Sequence, residues 1–144
     1  MIKFRGIPLE DVSEMRCVNF DGDFVYGYYI NNGDGALIVG DKTKELDDVG
    51  LSRWFVSVDP ETVGQFTGLK DVNGKDIYEG DIVHVVTGDG YRRTGKVVFE
   101  QEQGCYMVDN GWDKYPFNRF GYERDTLEVL GDVHENPELL EADK

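Results

Sequence analysis

The stretch GYRRTGKVVFE sets Tyr91, Arg92 and Arg93 on one side of Gly95 and Lys96 on the other. Cations beside an aromatic ring can meet a phosphate or a carboxylate-bearing partner, and small barrels hold single strands with such side chains. The plainer alternative is a solvated hairpin whose charges keep a strand edge from mispairing. Downstream, GWDKYPFNRFGY groups Trp112 and Tyr115 with Phe117, Phe120 and Tyr122. Such rings can line a groove, or they can pack an irregular loop onto a core. The expected binding residues are therefore Tyr91, Arg92, Arg93, Lys96, Trp112 and Tyr115.

Catalytic chemistry finds less support. His84 and His134 lie far apart in the chain, and His84 falls in an alternating run with Ile82 and Val86, which suits a histidine on a strand better than a general base. Ser52 and Ser57 have neither a nucleophile-elbow glycine pattern nor an adjacent histidine. The acidic stretches DGD, NNGD and DVNGKD never continue into the alternating ligands of a calcium loop, and they read as turns. Cys17 and Cys105 stand alone, without zinc spacing, as reduced thiols of the interior. The expectation is no enzyme, no cofactor and no metal.

Composition narrows the partners. The chain has 29 Asp and Glu against 15 Lys and Arg, a net charge of −14, so phosphate backbones and anionic membranes meet long-range repulsion. Nucleic acid is disfavoured as a partner. No run approaches the ~18 apolar residues of a spanning helix, and MIKFRGIPLEDVSEM lacks a secretory apolar core, so the expected location is the cytoplasm.

The elements that must position these residues are mostly strands. Val, Ile, Tyr and Phe fill the runs 2–4, 24–30, 36–39, 54–58, 82–86, 95–99, 105–108 and 126–133, separated by Gly- and Asn-rich turns. Two short helices are expected, one with Asp59 as cap and Pro60 first, the other with Asn136 as cap and Pro137 first. The fold class is mainly β. A smaller, irregular β-rich or α+β subdomain is expected over 1–60, and an SH3-like barrel with a short C-terminal helix over 61–144.

One stretch is denser in turn signals than the rest. In QFTGLKDVNGKDIYEGDIV, Asn73-Gly74 predicts a two-residue type I′ hairpin, Leu69 and Ile77 can face inward from its arms, and Gly80 turns the chain into the next strand. Gln65, Thr67, Lys70, Lys75 and Tyr78 are polar beyond what turns require, which leaves a binding reading open. Taken with IKFRG at 2–6 and LEVLGDVHENPELLE at 127–141, the stretch from Thr62 to Val83 resembles the YopX protein family of bacteriophages and prophages. The resemblance implies a C-terminal SH3-like barrel behind a more irregular N-terminal part, and it assigns no catalytic or ligand-binding residue. The Asp132-Val133 pair stands where the family usually has Asn before the aliphatic residue.

The functional expectation is a phage accessory protein that binds a host or phage protein without catalysis. Two other readings stay open. One is a small-barrel nucleic-acid binder using Arg92, Arg93 and Lys96. The other is an acidic mimic of DNA, with Glu135, Glu138, Glu141 and Asp143 at its tail. A homo-oligomer is also expected, since short barrels with aromatic loops expose apolar surface.

Overall fold

The structure is a computed structural model that describes residues 3–11, 18, 20–31, 33, 35–40, 54–86, 92–116 and 126–140. These residues are mainly strand, and the chain divides into two compact units, Met1–Phe66 and Thr67–Lys144.

In the N-terminal unit, β1 (Phe4–Gly6), β2 (Phe20–Asp21), β3 (Phe24–Asn31), β4 (Ala36–Gly40) and β5 (Trp54–Val58) are joined antiparallel. The long β3 changes partner along its length. Its first half pairs with β1, as in Gly6↔Val25, and its second with β4, as in Tyr28↔Val39. Alternation in WFVSV sends Trp54, Val56 and Val58 inward, where they meet Val18, Val25, Ala36 and Ile38 as the core. A bridge between Pro8 and Val58, flanked by Leu9 N–H donating to the Ser57 carbonyl (3.0 Å), ties β5 back to the segment after β1. That tie is one bridge, not a ladder.

The turn after β5 forms as its sequence dictates. Pro60–Thr62 is one turn of 3-10 helix, and the Asp59 carboxylate accepts from the Glu61 amide at 3.1 Å. Thr62 locks the turn to β1. Its Oγ1 donates to the Asp59 carbonyl (2.6 Å) and accepts from the Ile7 amide (2.9 Å).

β6 (Gly64–Lys70) straddles the division: Gly64 and Gln65 pair with β1, and the strand then neighbours β7 (Asp76–Tyr78). Beyond it the C-terminal unit holds β8 (Asp81–Val86), β9 (Arg92–Glu100), β10 (Cys105–Asp109), β11 (Lys114–Pro116) and β12 (Thr126–Asp132). They form an antiparallel sheet in the order β11-β10-β9-β8-β12. Its core is Ile77, Val83, Val85, Val97, Val108 and Leu127, with Leu69, Tyr106, Tyr115 and Val129 packed around it.

Three expectations need correction. The five strands keep the number on which the SH3-like reading rested, but among the described residues their path is open, with β11 and β12 as edges and no closed barrel. The β12 edge is met by a loop instead of a strand: Val72 N–H donates to the Leu127 carbonyl at 2.9 Å. The hairpin at Asn73-Gly74 is a three-residue loop, not a two-residue type I′ turn. Asp71 N–H donates to the Lys75 carbonyl (2.7 Å), Gly74 N–H to the Asp71 carbonyl (3.0 Å), and Gly74 takes the left-handed conformation (φ +83°) that this loop length requires. Lastly, Pro137–Leu140 is a 3-10 turn, but the Asn136 side chain reaches back to the Asp132 amide (3.3 Å) and does not cap it.

Candidate interaction surface

The β10–β11 hairpin carries Trp112 on a turn built by side chains. Asn110 Oδ1 accepts from the amides of Trp112 (2.8 Å) and Asp113 (2.7 Å), Asp109 Oδ1 accepts from Gly111 N–H (2.8 Å), and Gly111 has φ +90°. Every amide of the tip is held, yet the indole is 80% exposed. Tyr115 takes another role: it lies on the core-facing side opposite Val108 and packs half-buried against the cluster.

Two of the basic residues, Arg93 and Lys96, do not converge. Arg93 and Lys96 lie three apart in unbroken β9, opposite Val85 and Ile82, so alternation sends them to opposite faces of the sheet. Lys96 shares a cross-strand row with Asp109 and Lys114. Tyr91 lies outside the described residues, as do Phe117, Phe120, Tyr122, Cys17, Glu141 and Asp143; of Arg92 the backbone is described, opposite Val86. Lys114 Nζ meets the Glu100 carboxylate at 2.7 Å. That hydrogen bond holds Glu100 below its ordinary pKa and Lys114 above its own, in an exposed setting where water and salt weaken the pair.

The polar residues of the opening stretch are occupied with the backbone. Asp71, 8% exposed, accepts from the amides of Asn73 (2.9 Å), Lys75 (2.8 Å) and Val129 (2.9 Å). Burial raises its pKa; the three amides and the nearby Lys75 charge outweigh burial and leave it lowered. Asp81, 1% exposed, accepts from Tyr78 N–H at 2.8 Å. Thr67 Oγ1 donates to the Ile77 carbonyl (2.8 Å), and Lys70 pairs with Asp76 (3.2 Å). In the terminal stretch Asp132 Oδ1 accepts from His134 (2.9 Å) and Glu135 (3.0 Å). These aspartates shape turns and join strands. No group of three or more His, Cys, Asp or Glu among the described residues could hold a metal ion, and no helix there is long and apolar enough to cross a membrane.

One feature of the N-terminal unit escaped the sequence reading. On the face of β3, β4 and β5 turned away from the core, Tyr28, Val39 and Phe55 stand in one cross-strand row and Ile30, Leu37 and Ser57 in the next. Phe55, Tyr28 and Ile30 are exposed. A charge-free alternation of FVYGYYI with WFVSV was the available signal.

No curated protein matches the chain. The crystal structure of protein yopX from Bacillus subtilis is similar in fold, with a TM-score of 0.53 at 19% identity over 97% of this chain and 95% of that one. Protein EF1440 from Enterococcus faecalis aligns with a TM-score of 0.47 at 23% identity over 97% and 98%. The family model described as YopX protein matches residues 10–141, which takes in both the turn-rich stretch and the terminal one, and the chain belongs to the YopX protein family.

Proposed function

We propose that this chain is a phage or prophage accessory protein that works in the host cytoplasm as a non-enzymatic interaction module, binding a host or phage protein through the Trp112 hairpin. The observation that carries the reading is an indole 80% exposed on a turn whose amides are all held. A large ring presented by a rigid tip loses little entropy on binding, which is the character of an interface anchor. The nucleic-acid reading is weakened by the −14 charge and by Arg93 and Lys96 on opposite faces. Self-association through the same tip belongs to the proposal as a variant of it.

The test is capture from bacterial lysate on the immobilised chain, followed by titration of each captured protein, in purified form, against wild type and Trp112→Ala. A purified partner bound about tenfold or more weakly by the variant supports the reading. Equal binding by both forms overturns it, as does turnover of a small substrate by the wild type.

A further inference from the structure

We propose that the outer face of β3, β4 and β5 docks an amphipathic helix of another protein, one whose aliphatic stripe is flanked by Lys and Arg. The face lies in the N-terminal unit and is independent of the Trp112 hairpin.

Among the described residues the face is built like a core layer without a cover. Its two rows, Tyr28–Val39–Phe55 and Ile30–Leu37–Ser57, contain no charged residue. Phe55 is 68% exposed, Tyr28 50% and Ile30 46%, whereas the opposite side of the same strands buries Ile38, Trp54, Val56 and Val58. An antiparallel sheet with one wet side normally alternates polar residues outward, and a contiguous apolar patch marks a contact surface.

Shape and charge select the occupant. Three strands about 4.8 Å apart make a strip about 10 Å wide, close to the ~10–12 Å diameter of an α-helix, and helices bury one apolar stripe against such a face. Residues 1–66 contain twelve Asp and Glu and six Lys and Arg, a net −6 within a chain of −14. A helix rimmed with Lys and Arg is drawn to this unit; a second copy of the same face, in a unit of the same charge, is repelled. Single-stranded nucleic acid also stacks on aromatic sheet faces, but it needs cations beside them. The unit's net −6 opposes nucleic-acid phosphates, and of the six cations the two described lie over rings, Lys3 over Phe66 at 4.9 Å and Arg5, 5% exposed, over Phe24 at 4.2 Å.

The experiment titrates the isotopically labelled full chain with a Leu/Lys amphipathic helical peptide of about five turns, following backbone amides by NMR. Parallel titrations use the Leu/Glu counterpart and an oligothymidine. Saturable shifts confined to residues 28–30, 37–39 and 55–57 are expected with the Leu/Lys peptide only. Phe55→Ser and Tyr28→Ser should each weaken that binding about tenfold or more, with Trp112→Ala leaving it unchanged. Because both rings are exposed, the serine variants keep the wild-type melting temperature. The proposal is overturned if shifts are absent or lie elsewhere, if the Leu/Glu peptide or the oligonucleotide binds the same residues as tightly, or if sedimentation shows a dimer that Phe55→Ser dissolves.

Discussion

Asp71 and Val129 are 58 residues apart in the chain, and the carboxylate of one accepts the amide hydrogen of the other at 2.9 Å. The turn-rich stretch and the terminal one are thereby bonded directly, a link repeated where Val133 N–H donates to the Gly80 carbonyl at 2.9 Å.

Replacing Asp71 should accordingly damage the C-terminal unit more than a turn residue would. Asp71→Ala strips three amides of their acceptor and should cost about 3 kcal/mol by urea unfolding, with Asp71→Asn costing less. The pH dependence has a fixed sign. With its pKa lowered by folding, Asp71 contributes stability that is complete above the ordinary aspartate value near 3.8 and is lost as pH falls through the lowered folded value. Asp71→Asn should flatten that acid limb, and an unchanged limb would contradict the assignment.

Gly131 and Asn136 form a second coupled pair. A Cβ on Gly131 would lie 2.5 Å from Asn136 Oδ1, beside the bulge between Val129 and Gly131. Gly131→Ala should destabilise by about 1–3 kcal/mol through overpacking. In the double variant with Asn136→Ala the obstructing atom is gone, so a thermal-denaturation cycle should show the two losses summing to more than the loss in the double variant.

In the N-terminal unit the corresponding contact is Gly40 under Trp54, its cross-strand partner. A Cβ at residue 40 would meet the indole at 2.2 Å. Gly40→Ala should therefore displace the buried indole, lowering stability by about 1–3 kcal/mol and red-shifting tryptophan emission, measured in a Trp112→Phe background.

The Trp112 turn separates binding from stability. Trp112→Ala should leave stability within about 0.5 kcal/mol of wild type, because the ring is exposed. Asn110→Ala should cost about 1 kcal/mol and weaken the partner as well, because it frees the amides of Trp112 and Asp113. Equal stability of both variants, measured by calorimetry, would refute the role given to Asn110.

Strand positions were legible in the sequence because Val, Ile, Tyr and Phe runs are bounded by Gly and Asn turns. Trp54–Val58 falls where the pattern put it, and Leu69 and Ile77 face inward from their arms as expected. The separation of Arg93 from Lys96 was also readable, since an odd spacing within a strand cannot share a face. What the sequence marks only weakly is which parity of a short apolar strand turns inward. In WFVSV both sides are apolar at the start, Ser57 alone marks the outer one, and Phe55 is left exposed on it. The open path of the five-stranded sheet was hidden for another reason: its last edge is covered by an aspartate and a loop amide, partners that no strand pattern announces.

That cover has a consequence for the order of synthesis. β8 sits between β9 and β12, so on the ribosome β8 and β9 can pair early, while one flank of β8 and the carboxylate of Asp71 wait for residues 126–132 to emerge. Until then the nascent chain carries an unpaired strand flank beside a sheet already forming, the arrangement most prone to recruit a strand from a neighbouring chain. A message truncated before Thr126 would leave that flank permanently open, and its product would be expected to reach the insoluble fraction of the cell.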